Sequence, residues 1–141
     1  MTSAAPIDAT ARRRLASVAR EHRLDLVLLF GSRARGVTHA ESDVDIAVCR
    51  PEGTLSFDEI LDLGAALGAA IGYDVDLVDL RAADPLLLHQ IFLRTVVLHG
   101  EPGALERERL RAFHRYEDYR PFLRLERDAV RRQVRRHAGK P

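Results

Sequence analysis

The 141-residue chain has the length of one domain, and its 46% hydrophobic and 30% charged residues are typical of a soluble globular protein. Its single cysteine excludes a disulfide framework or a Cys-rich zinc site, and the low aromatic content without tryptophan argues against a stacking platform for single-stranded nucleic acid. No apolar run approaches the ~20 residues of a membrane span and the N-terminus lacks a signal-peptide core, so we expect a cytoplasmic protein.

The net charge of +1 conceals an uneven distribution of charge along the chain. Residues 1–40 carry seven Arg against three acids, residues 41–84 carry eleven acids against two Arg, and residues 101–141 carry twelve basic groups against seven acids. An acidic middle between basic ends is the pattern of a metal-binding centre in cationic surroundings, although solvated helix faces would give a similar pattern.

The hydrophobic periods along the chain alternate between those of helices and those of strands, with no repeat and no linker. In chain order they predict a helix over 8–22, strands over 24–30 and 43–49, a helix over 57–71, a strand over 73–80, a helix over 85–94, a strand over 95–100 and a helical segment over 104–137. This order predicts an α/β fold with a small mixed β-sheet flanked by helices. We expect one domain over 1–141, with a core over about 8–100 and a C-terminal helical extension over about 101–137.

Local signals refine three of these elements. Ser56 is predicted to cap the helix over 57–71, and Gly72 follows its end. Cys49 is interpreted as a small core residue, and Pro121 is expected to interrupt the C-terminal helical segment.

The apolar residues of the C-terminal segment predict amphipathic helices that pack on the sheet, with the arginines on a solvated face. A partner-docking surface is the first alternative, and nucleic-acid binding is the second. The apolar residues concerned are Leu105, Leu110, Phe113, Leu123, Leu125, Val130 and Val134.

Two carboxylates, Asp43 and Asp45, lie in an otherwise apolar strand pattern. Side chains alternate along a strand, so both share one face, where they repel each other unless a cation lies between them. A hard divalent ion such as Mg²⁺ takes oxygen ligands of this kind. Asp76 is the candidate third ligand if its strand is a neighbour. Asp74 shares its face and Asp79 closes the strand on the other side. Both are alternatives for the third carboxylate, but they are interpreted as solvating the strand ends.

Gly31 and Ser32 end the first predicted strand, ten residues before the acidic pair. A tight turn that leads into a helix presents N–H groups and a hydroxyl to an anion, and the Arg33 and Arg35 that follow suit phosphate oxygens. Ser42 is assigned to the same nucleotide site, with capping of the strand entrance as its alternative. Metal-binding acids opposite a phosphate-binding turn are the apparatus of phosphoryl or nucleotidyl transfer, and the chain contains no P-loop motif.

The Gly-Ser pair, ten residues and Asp-x-Asp together resemble the G-S-x10-D-x-D signature of the DNA polymerase β-like nucleotidyltransferase superfamily. The stretches "GSRARG", "SDVDIAV" and "VDLVDL" resemble sequences of its minimal nucleotidyltransferase (MNT) branch. The stretches "LLLHQIFLRTVVLHG" and "FHRYEDYRPF" resemble the tail of antitoxins from HEPN/MNT toxin–antitoxin pairs. The resemblance spans nearly the whole chain and implies the polymerase β-like nucleotidyltransferase fold.

This resemblance also implies an activity, which is Mg²⁺-dependent transfer of AMP from ATP to a tyrosine of a HEPN ribonuclease toxin. By the same resemblance, Gly31 and Ser32 hold the triphosphate, Asp43 and Asp45 bind two Mg²⁺ ions, and Asp76 is a third ligand or the base. The implied partners are ATP and the toxin, in a hetero-oligomer, without membrane or nucleic acid.

Two alternative functions remain open at this point. The chain could be an antitoxin that neutralises its toxin by docking alone, with the acids no longer catalytic. It could also transfer a nucleotide to a small molecule, as aminoglycoside-modifying relatives do. The residues after Leu80 leave little room for the additional helical domain that those enzymes usually carry.

Overall fold

The computed structural model describes residues 7–31 and 43–138, which form a mixed four-stranded sheet with helices on both faces. The elements are α1 (Ala9–Glu21), β1 (Leu26–Phe30), β2 (Val44–Cys49), α2 (Phe57–Ile71), β3 (Val75–Asp79), α3 (Pro85–Leu93), β4 (Val96–Gly100) and α4 (Ala104–Ala138). The predicted order and the mixed α/β class are therefore confirmed. Strands are arranged β3-β2-β1-β4, with β1 antiparallel to β2 and β4, and β2 parallel to β3.

Each face of the sheet is buried by its own pair of helices. On one face, Leu15 of α1 and Leu67 of α2 pack with Ile46 of β2. On the other face, Leu88 of α3 and residues of α4 pack against Cys49. Cys49 is thus the core residue that was predicted, and burial raises the pKa of its thiol to about 11.

Helix α2 is closed at both ends, as predicted. The Ser56 hydroxyl accepts a hydrogen bond from the Glu59 N–H at 3.1 Å, and the Glu59 carboxylate accepts one from the Ser56 N–H at 2.9 Å. Gly72 adopts the left-handed conformation, with φ +81°, and its N–H donates to the last turn. These two caps fix where α2 ends and where the chain turns into β3.

Helix α4 runs without interruption through Pro121, so the predicted break was wrong. A proline removes one main-chain hydrogen bond and crowds the preceding turn. The residues around it are strong helix formers such as Leu, Arg and Glu, which favour continuation of the helix.

The predicted packing of the apolar α4 residues on the sheet was also wrong for most of them. Leu105 contacts the core and Leu123 is half-buried, but the others are exposed. Most residues from 117 to 135 are exposed as well, so this part of α4 lies clear of the sheet. Within residues 7–31 and 43–138, no helix is both long and apolar enough to cross a membrane. The exposed apolar residues from the predicted set are Leu110, Phe113, Leu125, Val130 and Val134.

The arginines at the start of α4 point inward, contrary to the predicted solvated face. Arg107 donates to Asp25 at 2.7 Å and to Glu108 at 2.8 Å. Arg111 donates to Glu108 at 3.0 Å and to the Leu80 carbonyl at 2.9 Å. Glu108 is only 1% exposed. This ionic network joins α4 to the residue before β1 and to the residue after β3.

Candidate active site

Gly31 follows Phe30, the last residue of β1, and lies beside the beginning of β2. The antiparallel register pairs Phe30 with Asp45, which brings Gly31 next to the Asp45 side chain. Gly31 has φ +76°, and a Cβ atom at this position would overlap the Asp45 carboxylate and lie 3.0 Å from its Cγ. Only glycine therefore lets the turn approach the carboxylate this closely.

Three predicted acids converge at the same place. The parallel register pairs Asp45 of β2 with Asp76 of β3, and Asp43 lies immediately before β2. Burial raises the pKa of Asp45, and the charges of Asp76 and then Asp43 raise it further. The structure thus brings together the three carboxylates that were predicted as a group, and Asp45 lies close enough to the other two to feel their charge.

The described residues leave these carboxylates without a neutralising ion pair. The salt bridges of the described part of the chain do not include Asp43, Asp45 or Asp76. In the same residues, no group of three or more His, Cys, Asp or Glu side chains is arranged so that it could hold a metal ion, so the three predicted acids do not form a three-ligand metal site by themselves. Mg²⁺ usually takes only one or two carboxylates and completes its coordination with water and substrate phosphates. The acids therefore fit a cation that is bound together with a phosphate-bearing substrate.

The two alternative acids of the third predicted strand have different surroundings. Asp74 is exposed, and its carbonyl accepts a hydrogen bond from the Val44 N–H at 2.8 Å. Asp79 is buried, and its carboxylate accepts hydrogen bonds from the N–H groups of Leu55 at 2.8 Å and Arg81 at 3.0 Å. Asp79 therefore ties the segment before α2 to the end of β3, and its interpretation as a solvating residue was wrong.

Part of the predicted nucleotide site lies outside the described residues. Gly31 and Asp43 lie on either side of residues 32–42. The described part of the site therefore consists of the three acids and of Gly31, which lies against Asp45. The predicted nucleotide-binding residues outside the described part are Ser32, Arg33, Arg35 and Ser42.

A groove beside the acids was not predicted from the sequence. It lies between α2 and β3, and Asp43 and Asp76 form part of its wall. The glycines of α2 and its cap, Gly64, Gly68 and Gly72, lie along it at intervals of four residues. That spacing inside a predicted helix was the available signal, because a glycine in a helix interior usually has a packing or functional reason.

We expect Gly31→Ala to destabilise the protein by more than the cost of its backbone conformation. A residue with a Cβ pays about 1–2 kcal/mol in the left-handed region, and here the Cβ must also displace the Asp45 carboxylate. Gly53→Ala is the matched control, because Gly53 has φ +77° but nothing within 4 Å of a Cβ. Urea denaturation of both variants measures the difference. Equal losses would contradict the close approach of Gly31 to Asp45.

The small mixed sheet, the glycine turn and the paired carboxylates define a nucleotidyltransferase. Residues 14–102, more than half of the chain, match the family model described as "Polymerase beta, Nucleotidyltransferase". The chain belongs to this family, which confirms the fold expected from its Gly-Ser and Asp-x-Asp motifs.

Particular relatives come from toxin–antitoxin systems. The protein adenylyltransferase MntA of Shewanella oneidensis is 35% identical over 108 residues, which cover 77% of this chain and 74% of the relative. A crystal structure of a toxin-antitoxin with AMP-PNP matches with a TM-score of 0.71 and 32% identity, over 87% of this chain and 97% of that one. A structure of a tri-AMPylated Shewanella oneidensis HEPN toxin with its MNT antitoxin matches with a TM-score of 0.65 and 29% identity, over 88% and 95%. These similarities confirm the resemblance to the MNT branch.

Proposed function

We propose that this chain transfers AMP from ATP to a tyrosine hydroxyl of a HEPN ribonuclease toxin and thereby acts as its antitoxin. The similarity to an adenylyltransferase, and to an MNT antitoxin solved with an AMPylated HEPN toxin, supports this acceptor. The AMP-PNP in another similar structure supports ATP as the donor. The observation that carries the proposal is the meeting of Gly31, Asp45 and Asp76 at one place on the sheet.

The three acids have distinct roles in this proposal. Asp43 and Asp45 hold Mg²⁺, which when bound neutralises charge on the phosphates and on the leaving group. Asp76 is the third carboxylate because the strand register places it directly beside Asp45. Asp76 is exposed, and alternation along β3 turns its side chain to the face of the sheet opposite that of Val75 and Leu77, where a hydroxyl group can reach it.

The phosphate side of the site is assigned to the turn after β1. Gly31 and Ser32 hold the triphosphate, since a turn without a side chain at its first position exposes main-chain N–H groups to an anion. Arg33, Arg35 and Ser42 are assigned to the same site, where guanidinium groups suit phosphate oxygens.

The reaction is an in-line displacement at the α-phosphorus of ATP. The tyrosine oxygen forms a bond to this phosphorus while the bond to the bridging oxygen breaks, and pyrophosphate leaves with the electron pair. The hydroxyl proton passes to Asp76, which acts as the general base. Its position beside Asp45 keeps the base close to the phosphate that is attacked.

The exposed surface of α4 supports a protein acceptor over a small molecule. Large apolar residues without cover on a monomer usually mark a surface that another protein contacts. The part of α4 from residue 117 to 135 is mostly exposed and lies clear of the sheet, so this surface is open to another protein. Residues with this exposure on α4 include Phe113, Phe122, Leu125, Val130 and Val134.

We expect a HEPN toxin co-expressed with this chain to gain the mass of at least one adenylate group on a tyrosine. Mass spectrometry of the intact toxin and of its peptides measures this change, and the toxin expressed alone is the control. A toxin that is neutralised without any added mass would favour the docking-only alternative. Transfer of adenylate to an aminoglycoside by the purified protein, with none to the toxin, would favour the small-molecule alternative.

A further inference from the structure

The groove between α2 and β3 has a volume of about 960 Å³ and borders the site of the proposed reaction. Asp43 and Asp76 lie in its wall together with the edge of β3. Its floor is the face of α2 that carries Leu61, Gly64 and Ala65. Leu61 is 55% exposed, so this apolar face has no cover from the described residues.

Gly64 keeps the groove open although the fold does not require a glycine there. A Cβ at Gly68 would lie 2.8 Å from the Tyr73 carbonyl oxygen, so Gly68 is needed for the close turn from α2 into β3. A Cβ at Gly64 would have nothing within 4 Å. A glycine in a helix interior costs about 0.5–1 kcal/mol relative to alanine. Gly64 therefore lowers the stability of α2, and packing among the described residues gives no reason for a glycine at this position.

The edge of β3 can bind an extended peptide. This strand is one of the two edge strands of the described sheet. The Asp74 carbonyl and the Leu80 N–H bond to β2, so the main-chain groups of the even-numbered residues face that strand. Because these groups alternate along a strand, the N–H and C=O groups of Val75 and Leu77 face outward, along the groove.

The charge of the groove selects among possible occupants. Asp43, Asp74 and Asp76 lie in its wall, and its described lining contains no Lys, Arg or His. Beyond the cation assigned to Asp43 and Asp45, this lining offers no positive charge that would hold a nucleic acid. A polypeptide segment with apolar and basic residues is complementary both to the acids and to the uncovered face of α2.

We propose that the acceptor segment of the toxin binds in this groove as an added strand along β3, with apolar and basic residues beside the modified tyrosine. This inference rests on the proposed function. Main-chain hydrogen bonds to Val75 and Leu77 align the segment, and the space above Gly64 receives one of its side chains. Because side chains alternate along an added strand, a tyrosine next to the residue above Gly64 lies on the other face of the sheet, where its hydroxyl can reach Asp76.

Filling the groove tests this proposal. We expect Gly64→Phe to raise the KM for the toxin about tenfold or more, because the new ring occupies the space of the acceptor side chain. The affinity for Mg²⁺ and ATP, measured by calorimetry without toxin, should stay the same. Asp62→Phe is the matched control, since it places the same ring on an exposed part of α2 outside the groove lining.

Hydrogen exchange of the wild-type chain provides a test that does not depend on a variant's folding. Binding of the toxin should slow exchange in residues 73–77 and along α2 from residue 61 to 69. Unchanged exchange there, or an unchanged KM in a folded Gly64→Phe variant, would overturn the groove as the acceptor site. A loss of ATP affinity in this variant would overturn it too, because the groove would then hold the nucleotide. Absence of adenylate transfer by the wild-type chain would overturn the proposed function itself, and this inference with it.

Discussion

Replacing Asp45 with asparagine is expected to reduce the rate of AMP transfer by about a hundred- to a thousandfold. This reduction in rate is the one expected for the loss of a single electrostatic group that stabilises charge at the reacting phosphate. Burial and the charges of Asp76 and Asp43 already raise the pKa of Asp45, so its ionised form is held at an energetic cost. The neutral side chain should therefore leave the stability of the metal-free protein unchanged or increase it. Single-turnover transfer of labelled AMP to the toxin measures the rate.

Asp62→Asn is the control for this prediction, because it makes the same chemical change at an exposed position of α2. It should transfer AMP at the wild-type rate. Transfer at that rate by Asp45→Asn would contradict the catalytic assignment. A growth assay separates the remaining alternative, since cells protected by the inactive variant would indicate an antitoxin that acts by docking.

A large loss of stability is expected for Glu108→Ala, at about 1–3 kcal/mol. Removing the buried carboxylate takes hydrogen bonds from its arginines, but the cost stays below that of a fully buried ion pair, because the side chains of Arg107 and Arg111 are 44% and 29% exposed and Arg107 keeps Asp25. Here Arg107 and Arg111 would lose a carboxylate that is 1% exposed and lies 2.8 Å and 3.0 Å from them. Chemical denaturation followed by circular dichroism measures the change in the free energy of unfolding.

Glu117→Ala provides the matched control on the same helix. Glu117 pairs with Arg120 at 3.3 Å, but both side chains are more than 40% exposed. An exposed pair of this kind contributes about 1 kcal/mol or less. Similar losses for the two variants would contradict the role of Glu108 in joining α4 to the sheet.

The pH dependence of stability gives a second measurement on Glu108. Burial raises its pKa, but hydrogen bonds from Arg107 and Arg111 outweigh burial and hold the pKa below the ordinary value of 4.5. A carboxylate whose pKa is lower in the folded state stabilises the protein above its unfolded pKa, and this contribution disappears as the pH falls through the folded pKa. The wild type should therefore lose stability below about pH 4.5 more steeply than Glu108→Ala. Parallel curves would contradict this contribution.

The order of the elements and the group of acids could be predicted because both depend on local patterns. Strand alternation and a helical apolar period define the elements, and caps such as Ser56 mark their ends. The spacing from Gly31 to Asp43 carries the site motif. The pairing of Asp45 with Asp76 could be stated only as a condition, since a register between distant strands depends on packing of the whole sheet.

Apart from the predicted break at Pro121, the errors concern contacts over long separations in the sequence. An arginine-rich stretch has the same local pattern whether it faces water or a buried carboxylate, so the inward position of Arg107 and Arg111 was missed. Asp79 was taken for a solvating residue because its acceptor role depends on Leu55, which is 24 residues away. The exposure of α4 was missed for a related reason. An apolar residue in a helix predicts that its side chain is buried, but not whether the same chain or another protein buries it.

The parallel register of β2 and β3 determines both the packing of the apolar layer and the position of Asp76 beside Asp45. If β3 slipped by a single residue, Asp76 would rotate to the opposite face, and Val75 and Leu77 would leave the apolar layer that they now complete. A misaligned molecule would therefore be inert and unstable at once. Proteases that degrade unstable proteins would then also remove the inactive molecules.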